Sequence, residues 1–519
     1  MKKYLFIALA ALGFAACEKS ADENKTQQNA ELEQSYVAIT LAADDMTRAA
    51  DGEYEEGLDV EREVKSAYVF FFKDGAAFPV TFSNGTSTNA GPNNYLQVNL
   101  TTVDTDMPNV SDVKDAVLVL QNYKGEYPNQ IVAVLNWAPT NASYSLENLQ
   151  AQISALGNAT NGFVMSNAVY ADKAGQVVDA VDLTIANIGK TADEALANPV
   201  TIHVERVAAK VVFTADNGGK FAVEKEVEGK PVFAQIMGFE LYNDYQESWL
   251  IKRINPAWEV GFNWNDADFF RSYWAQSLGK AFENNAFAWT TDNTAIDGYV
   301  YCGENTRAWT KEADVRTKVV VKAQLVDADN NPFEVVNWYG KDYIGEGDLL
   351  TVVANTLKNT YFSGDGSSFT GLTPADIKCV DRLVTDAKAY EVYFQLSDAG
   401  VAKSWYKYEG GNYNAIANDA LDTALAGVQP ALVYKNGMTY YWLDIKHLGA
   451  PSSTAEYGIV RNHVYKVNIN DITGYGTPVY DGTSDFINLE KPEDIVTYVS
   501  AQINILSWRV VENDYDLGK

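Results

Sequence analysis

Short runs of β-branched and aromatic residues, each stopped by Gly, Asn, Asp or Pro, restrict this chain to a fold of many short strands. Ala67-Tyr68-Val69-Phe70-Phe71-Phe72 ends at Lys73-Asp74-Gly75, and Gln130-Ile131-Val132-Ala133-Val134-Leu135-Asn136-Trp137 ends just before Pro139. Runs of the same kind lie at 204–213, 319–325, 349–354 and 464–469. The expected class is all-β, built as sandwiches. Helical spacing is confined to 146–156 and 415–426, and the absence of a fixed-period repeat excludes solenoids and propellers. A turn signal, Asp216-Asn217-Gly218-Gly219, follows the strand run at 204–213 and puts a domain boundary near 216.

With only Cys17, Cys302 and Cys379 in 519 residues, disulfides cannot replace a core. Cys302 and Cys379 are either one bridge or two buried thiols. The formal net charge is −29, and residues 1–48 hold five basic and seven acidic residues, so −27 belongs to the rest. Such acidity repels a phosphate backbone, and nucleic acid is not an expected partner.

The N-terminus reads as a secretion signal: Met1-Lys2-Lys3, an apolar stretch over 4–12 too short to span a bilayer, then small residues. Phe14-Ala15-Ala16-Cys17 resembles a bacterial lipobox, which makes Cys17 the lipidated N-terminus after cleavage. Polar residues 18–35 have no apolar periodicity and suit a tether. Val37, Ile39 and Leu41 then alternate with Ala38 and Thr40, the period-two pattern of a half-buried strand. Asp44-Asp45-Met46-Thr47-Arg48-Ala49-Ala50-Asp51-Gly52 follows, small and polar, with the chain's first arginine open to a protease. At the other end, 498–511 is again strand-like, and Val499, Ala501, Ile503 and Ile505 fall on one face. An apolar strand at a terminus needs a partner.

Chemistry is sparse. His203, His447 and His463 lie far apart, and none has a metal-ligand spacing with Cys, Asp or Glu. There is no Gly-x-Ser-x-Gly, no phosphate loop and no Cys-x-x-Cys. Asp327-Ala328-Asp329-Asn330-Asn331 reads as a solvated turn, because Pro332 stands where a calcium loop needs glycine. No catalytic residue, cofactor or metal is expected. Aromatic residues make up 12% of the chain and are densest at Trp258, Phe262, Trp264, Phe269, Phe270, Tyr273 and Trp274, mostly core but also a candidate sugar-stacking surface.

Several segments in order resemble the fimbrillins of Gram-negative anaerobes, the type V pilus subunits, and within them the minor (Mfa-type) branch. They are Val204-Glu205-Arg206-Val207-Ala208-Ala209-Lys210-Val211, Trp264-Asn265-Asp266 with Phe270-Arg271-Ser272-Tyr273-Trp274-Ala275, and Tyr301-Cys302-Gly303-Glu304-Asn305-Thr306. Near the end come Val460-Arg461-Asn462-His463-Val464-Tyr465-Lys466-Val467, Ile472-Thr473-Gly474-Tyr475-Gly476 and Ile505-Leu506-Ser507-Trp508-Arg509-Val510-Val511.

The resemblance implies two transthyretin-like β-sandwich domains and a lipoprotein precursor carried to the outer membrane. The expected division is 1–17 signal peptide, 18–48 propeptide, 49–216 N-terminal sandwich and 217–519 C-terminal sandwich, with 498–519 as a terminal donor strand. An arginine-specific protease would cut Arg48-Ala49 and remove the strand of Val37, Ile39 and Leu41. A neighbour's strand, carrying Val499, Ala501, Ile503 and Ile505, would fill the groove head to tail. The product is a pilus shaft that supports adhesion and biofilm formation, with tip and anchor subunits as partners. The competing expectation is a monomeric glycan-binding surface lipoprotein that keeps lipidated Cys17; a glycosidase comes third.

Overall fold

The structure, a computed structural model, describes residues 33–43, 53–54, 57–78, 81–83, 88–89, 93–103, 112–122, 126–171, 176–254, 274–282, 289, 294–306, 315–381, 383–384, 390–447, 455–483, 502–507, 509–510 and 514–515. Strands dominate these residues, and the chain is all-β in class. Thirteen strands form the first sheet. Ala67–Lys73 and Gln130–Leu135 lie toward one end of it, and Glu33–Ala43 and Asp112–Asn122 toward the other. Phe71, Ile131, Val37 and Leu118 nevertheless share one core, so the sheet folds over on itself. Phe70, Phe72, Val132 and Val134, on the opposite face of the same strands, enter a second core with Leu149 and Phe163. That burial on both faces explains why these two runs are continuously apolar instead of alternating.

The second sandwich packs a seven-stranded sheet on a five-stranded one. Val211, Tyr465 and Val467 from the first meet Phe239, Val321 and Tyr441 from the second. Phe213 and Phe239 stack across the two layers with ring centroids 4.7 Å apart.

The apolar run at 204–213 is not one strand. It divides into Val200–Arg206, in the first sheet, and Ala209–Ala215, in the seven-stranded sheet. Val207 and Ala208 between them are fully buried, so hydrophobicity gives no sign of the break. Val207 donates its N–H to Val164, and Ala208 accepts from Asn462, one bond into each sandwich.

Buried charges hold this crossing. Glu205 and Lys252 pair at 2.7 Å with both side chains excluded from water, and Arg461 pairs with Glu304 at 2.7 Å under the same conditions. Arg461 also donates to the carbonyls of Trp249 and Leu250. Arg206 reaches across to Asn462 at 3.2 Å. Charges this deep persist only when partnered. Burial pushes the Glu205 carboxyl up, against the pull of the Lys252 ammonium.

The segment at 349–354, expected as a strand, is helix: Gly345–Leu357. The spacing of its buried residues, Leu349, Val353 and Ala354, is helical, and they face a separate core with Phe394, Leu396 and Leu421. Thr351, Val352 and Val353 are β-branched and there is no side-chain N-cap, so local signals favoured a strand. Gly345, at φ +73°, makes the turn from the preceding strand Lys341–Ile344 that glycine alone tolerates well. The two expected helical patches are shorter than 146–156 and 415–426. Leu146–Gln150 stops before the strand Ile153–Ala155, and Asn418–Ala426 follows the strand Asn412–Ile416. Cross-strand pairing claimed those residues.

Leu349→Ala should cost about 2–5 kcal/mol in denaturant unfolding, and Thr351→Ala less than about 0.5 kcal/mol. A strand would bury both on one face, and equal losses would contradict the helix. Lys252→Met should cost about 3–5 kcal/mol by stranding Glu205. The double variant with Glu205→Leu should recover most of that loss, read in the same experiment.

Candidate assembly site: the first and last strands

Alternating Val37, Ile39 and Leu41 become part of an interior strand, Glu33–Ala43. It runs antiparallel to Asp112–Asn122 in unbroken register from Glu33↔Asn122 to Ala43↔Asp112. On its other side it lies parallel to Val200–Arg206 from Ile39↔Val200 to Ala43↔Val204, and Ile188–Gly189 continues that side at Tyr36 and Val37. From Tyr36 onward the strand therefore has neighbours on both sides.

Val37 and Ile39 are about 1% exposed and sit in the core with Leu118, Ile202 and Val204. Ala38 is equally buried, and the helix Ala192–Ala197 packs beside the strand. At about 1.5–3 kcal/mol for each large side chain, the strand contributes heavily to its sandwich. Leu41 stands opposite Lys114 and Ile202 in register. Cys17, Arg48 and Ala49 lie outside the described residues.

After residue 52 the chain joins the other sheet. Glu53–Tyr54 pairs antiparallel with Arg509–Val510, through Glu53↔Val510 and Tyr54↔Arg509. Residues 44–52 thus link a strand of one sandwich to a strand of the other.

Next comes an anchor. Glu61, fully buried in the short helix Asp59–Arg62, pairs with Lys210 at 2.7 Å and accepts the Leu58 N–H at 2.8 Å. Its carboxylate also accepts from the Tyr301 hydroxyl, and burial together with that carboxylate pushes the Tyr301 phenol up. The Glu61 carbonyl accepts from Arg206 at 2.7 Å. The segment after Arg48 is therefore pinned at the crossing between sandwiches, independently of the first strand. Sequence reasoning missed Glu61, since its partners lie 149 and 240 residues away and no local pattern marks them.

Of 498–511, residues 502–507 and 509–510 are described. Gln502–Ser507 runs antiparallel to His463–Ile469, from His463↔Ser507 to Val467↔Ile503. Ile505 faces Tyr465 in that register, and Leu506 pairs with Val510 as the chain turns back. Val499 and Ala501 lie outside the described residues.

The three histidines fall in two places. His447 and His463 are distant in sequence yet come together, ring centroids 5.4 Å apart, both buried. His447 Nδ1 lies 3.1 Å from the Tyr465 hydroxyl, and His463 Nδ1 lies 2.7 Å from the Arg461 carbonyl oxygen. His203 is on Val200–Arg206, apart from them. Among the described residues no three His, Cys, Asp or Glu side chains are placed to hold a metal.

Asp327 closes an exposed turn by accepting from the Asp329 and Asn331 backbone. Cys302 and Cys379 are free thiols in different cores, and burial pushes both up. Of the aromatic cluster at 258–274, only Trp274 is among the described residues, and it is fully buried.

The sequence over residues 432–514 matches the family described as major fimbrial subunit protein type IV, fimbrillin, C-terminal. That stretch holds His463–Ile469 and its partner Gln502–Ser507. No curated protein matches the sequence. Among solved structures, a fimbrilin from Porphyromonas gingivalis is 12% identical, with 93% of this chain and 98% of that one covered at a TM-score of 0.38. The tip fimbrial protein Mfa3 of the same organism, with a C-terminal truncation, is 11% identical, with 91% and 100% covered at a TM-score of 0.30. The likeness to the fimbrillin family model is thus carried by the C-terminal residues 432–514.

Proposed function

We propose that this chain is a shaft subunit of the minor-fimbrillin kind, assembled by strand exchange after cleavage at Arg48-Ala49. The observation that carries the reading is the placement of Glu33–Ala43, an interior strand joined to the rest of the protein only through the segment that holds Arg48. Cutting that segment leaves the strand held by non-covalent contacts alone. Its departure strips partners from Asp112–Asn122 and Val200–Arg206 and empties the seats of Val37 and Ile39. Unpaired edges and apolar seats then demand a replacement strand.

The terminal segment supplies a matching pattern. Ala501, Ile503 and Ile505 repeat the period-two spacing of Val37, Ile39 and Leu41, with Val499 extending it. Donor and acceptor lie on different sandwiches, so the contact is heterologous and propagates as a filament. Before cleavage, Cys17 carries the lipid that holds the precursor to the outer membrane. The mature subunit, 49–519, has lost it and comprises an N-terminal and a C-terminal sandwich that meet at Val207-Ala208, short of the expected boundary near 216. Adhesion and biofilm support follow from the filament, capped and anchored by other fimbrial subunits.

Arg48→Ala should abolish high-mass polymer in surface extracts, and N-terminal sequencing of wild-type filaments should begin at Ala49. Polymer at wild-type level in the variant would refute cleavage as the trigger. A chain ending at Thr497 should accept a donor but not give one, and so stop elongation. Because Gln502–Ser507 also covers His463–Ile469, circular dichroism must show the truncated subunit folded. Normal filaments from it would mean that the last strand is only a sheet edge.

A further inference from the structure

From Tyr36 onward the first strand, Glu33–Ala43, is enclosed on four sides, and one of the four walls differs from the rest. Asp112–Asn122 holds the strand through eleven residue pairs and Val200–Arg206 through five, and both belong to the sheet itself. Val37 and Ile39 close the inner face by sitting in the core. Ala38 alternates to the outer face, yet it too is only 1% exposed.

The cover on that outer face is the segment 184–198. Its short strand Ile188–Gly189 pairs with the first strand at Tyr36 and Val37. Ile188 packs against the same core as Val37, its partner in register, so Gly189 stands on the face of Ala38. The helix Ala192–Ala197 lies over this face. A Cβ at Gly189 would come within 2.6 Å of the Ala195 nitrogen and 2.8 Å of the Thr191 carbonyl oxygen, and Ala195 is fully buried. The helix also packs against the first strand and against Asp112–Asn122 on its far side, so it crosses the strand rather than flanking it.

Bonding sets this wall apart. Just before it, Leu183 is buried in the core and donates its N–H to the Asn129 carbonyl; just after it, Val200 is in the sheet. Between them, among the described residues, every hydrogen bond of 184–198 is either internal or made to the first strand. Asn187 reaches the Asn198 carbonyl at 3.2 Å, and the Thr191 hydroxyl caps the helix by accepting the Glu194 N–H. Of the three large apolar side chains, Ile185 is 70% exposed and Leu196 50%, which leaves Ile188 to hold the segment to the core.

A strand paired on both sides leaves its sheet through a face, and here the inner face is packed core. The outer face is shut by a segment fixed at its ends, bonded within itself and seated on the strand it covers. Such a segment can lift as a unit without undoing the sheet. We propose that 184–198 is a hinged cover that must lift for the first strand to leave and for another to take its place. Cleavage at Arg48 then releases the strand no faster than the cover opens. The purpose of the cover rests on the strand-exchange reading; its closure over the strand does not.

Hydrogen exchange in the intact, uncleaved chain reads the cover directly. Gly189→Ala pushes the helix off the strand, and Thr191→Ala, which removes the cap, serves if Gly189→Ala does not fold. Each should speed exchange at residues 36–39 about tenfold while Val132–Leu135 in the same sheet stays as protected as in the wild type. Once the chain is cut at Arg48, the fragment that carries the first strand should leave faster by the same factor, read by size exclusion. Exchange at 36–39 that neither variant changes, or that rises equally throughout the sheet, overturns the cover. Filaments whose subunits retain 33–43 would overturn strand exchange, and with it the purpose of the cover, whatever the exchange rates show.

Discussion

A strand inside a sheet satisfies two neighbours at once, and Glu33–Ala43 does so between Asp112–Asn122 and Val200–Arg206. Each of those strands points N–H and C=O groups at it that water would have to satisfy otherwise. Val37 and Ile39 meanwhile fill the core between the folded-over ends of the sheet. The N-terminal sandwich therefore needs a strand in this place, but nothing in the geometry requires that strand to be covalently its own. Any extended segment with apolar residues at i, i+2 and i+4 meets the same demand, which is what makes exchange physically reasonable.

The arrangement around Glu61 limits what leaves with the strand. Glu61 ties the chain to Lys210, Tyr301 and Arg206 at the crossing between sandwiches. The partners of these bonds all lie beyond Arg48, so a cut there leaves the crossing intact. Glu205 with Lys252 and Glu304 with Arg461 stiffen the same place. A buried pair adds little net stability over apolar packing, but it tolerates almost no change of geometry. A filament built from such subunits would transmit force through a junction that does not hinge easily.

Much of this was readable from residue patterns, and the failures have a common cause. Period-two alternation located the first strand, and the apolar runs at 67–72 and 464–469 located interior ones, because each pattern is local. The helix Gly345–Leu357 was hidden by β-branched residues whose burial is decided by a core assembled from 336 to 433. The break at Val207-Ala208 was hidden because both sides of it are buried. Glu61 with Lys210, and His447 with His463, are meetings of residues that only the completed topology brings together. The residues of 204–211, 301–306 and 460–467, which carried the family resemblance, converge on one buried network, so their joint presence had a structural reason.

The strand Trp405–Glu409 illustrates the same limit differently. Along Trp405–Glu409 the alternation is plain, but sequence alone does not say which set faces water. Packing of Trp405 against Phe394 and Leu421 decides it, and puts Tyr406 and Tyr408 on the opposite face, where Tyr408 is exposed. The sheet that holds Trp405–Glu409 shares no strand with the sheets that hold the first and last strands.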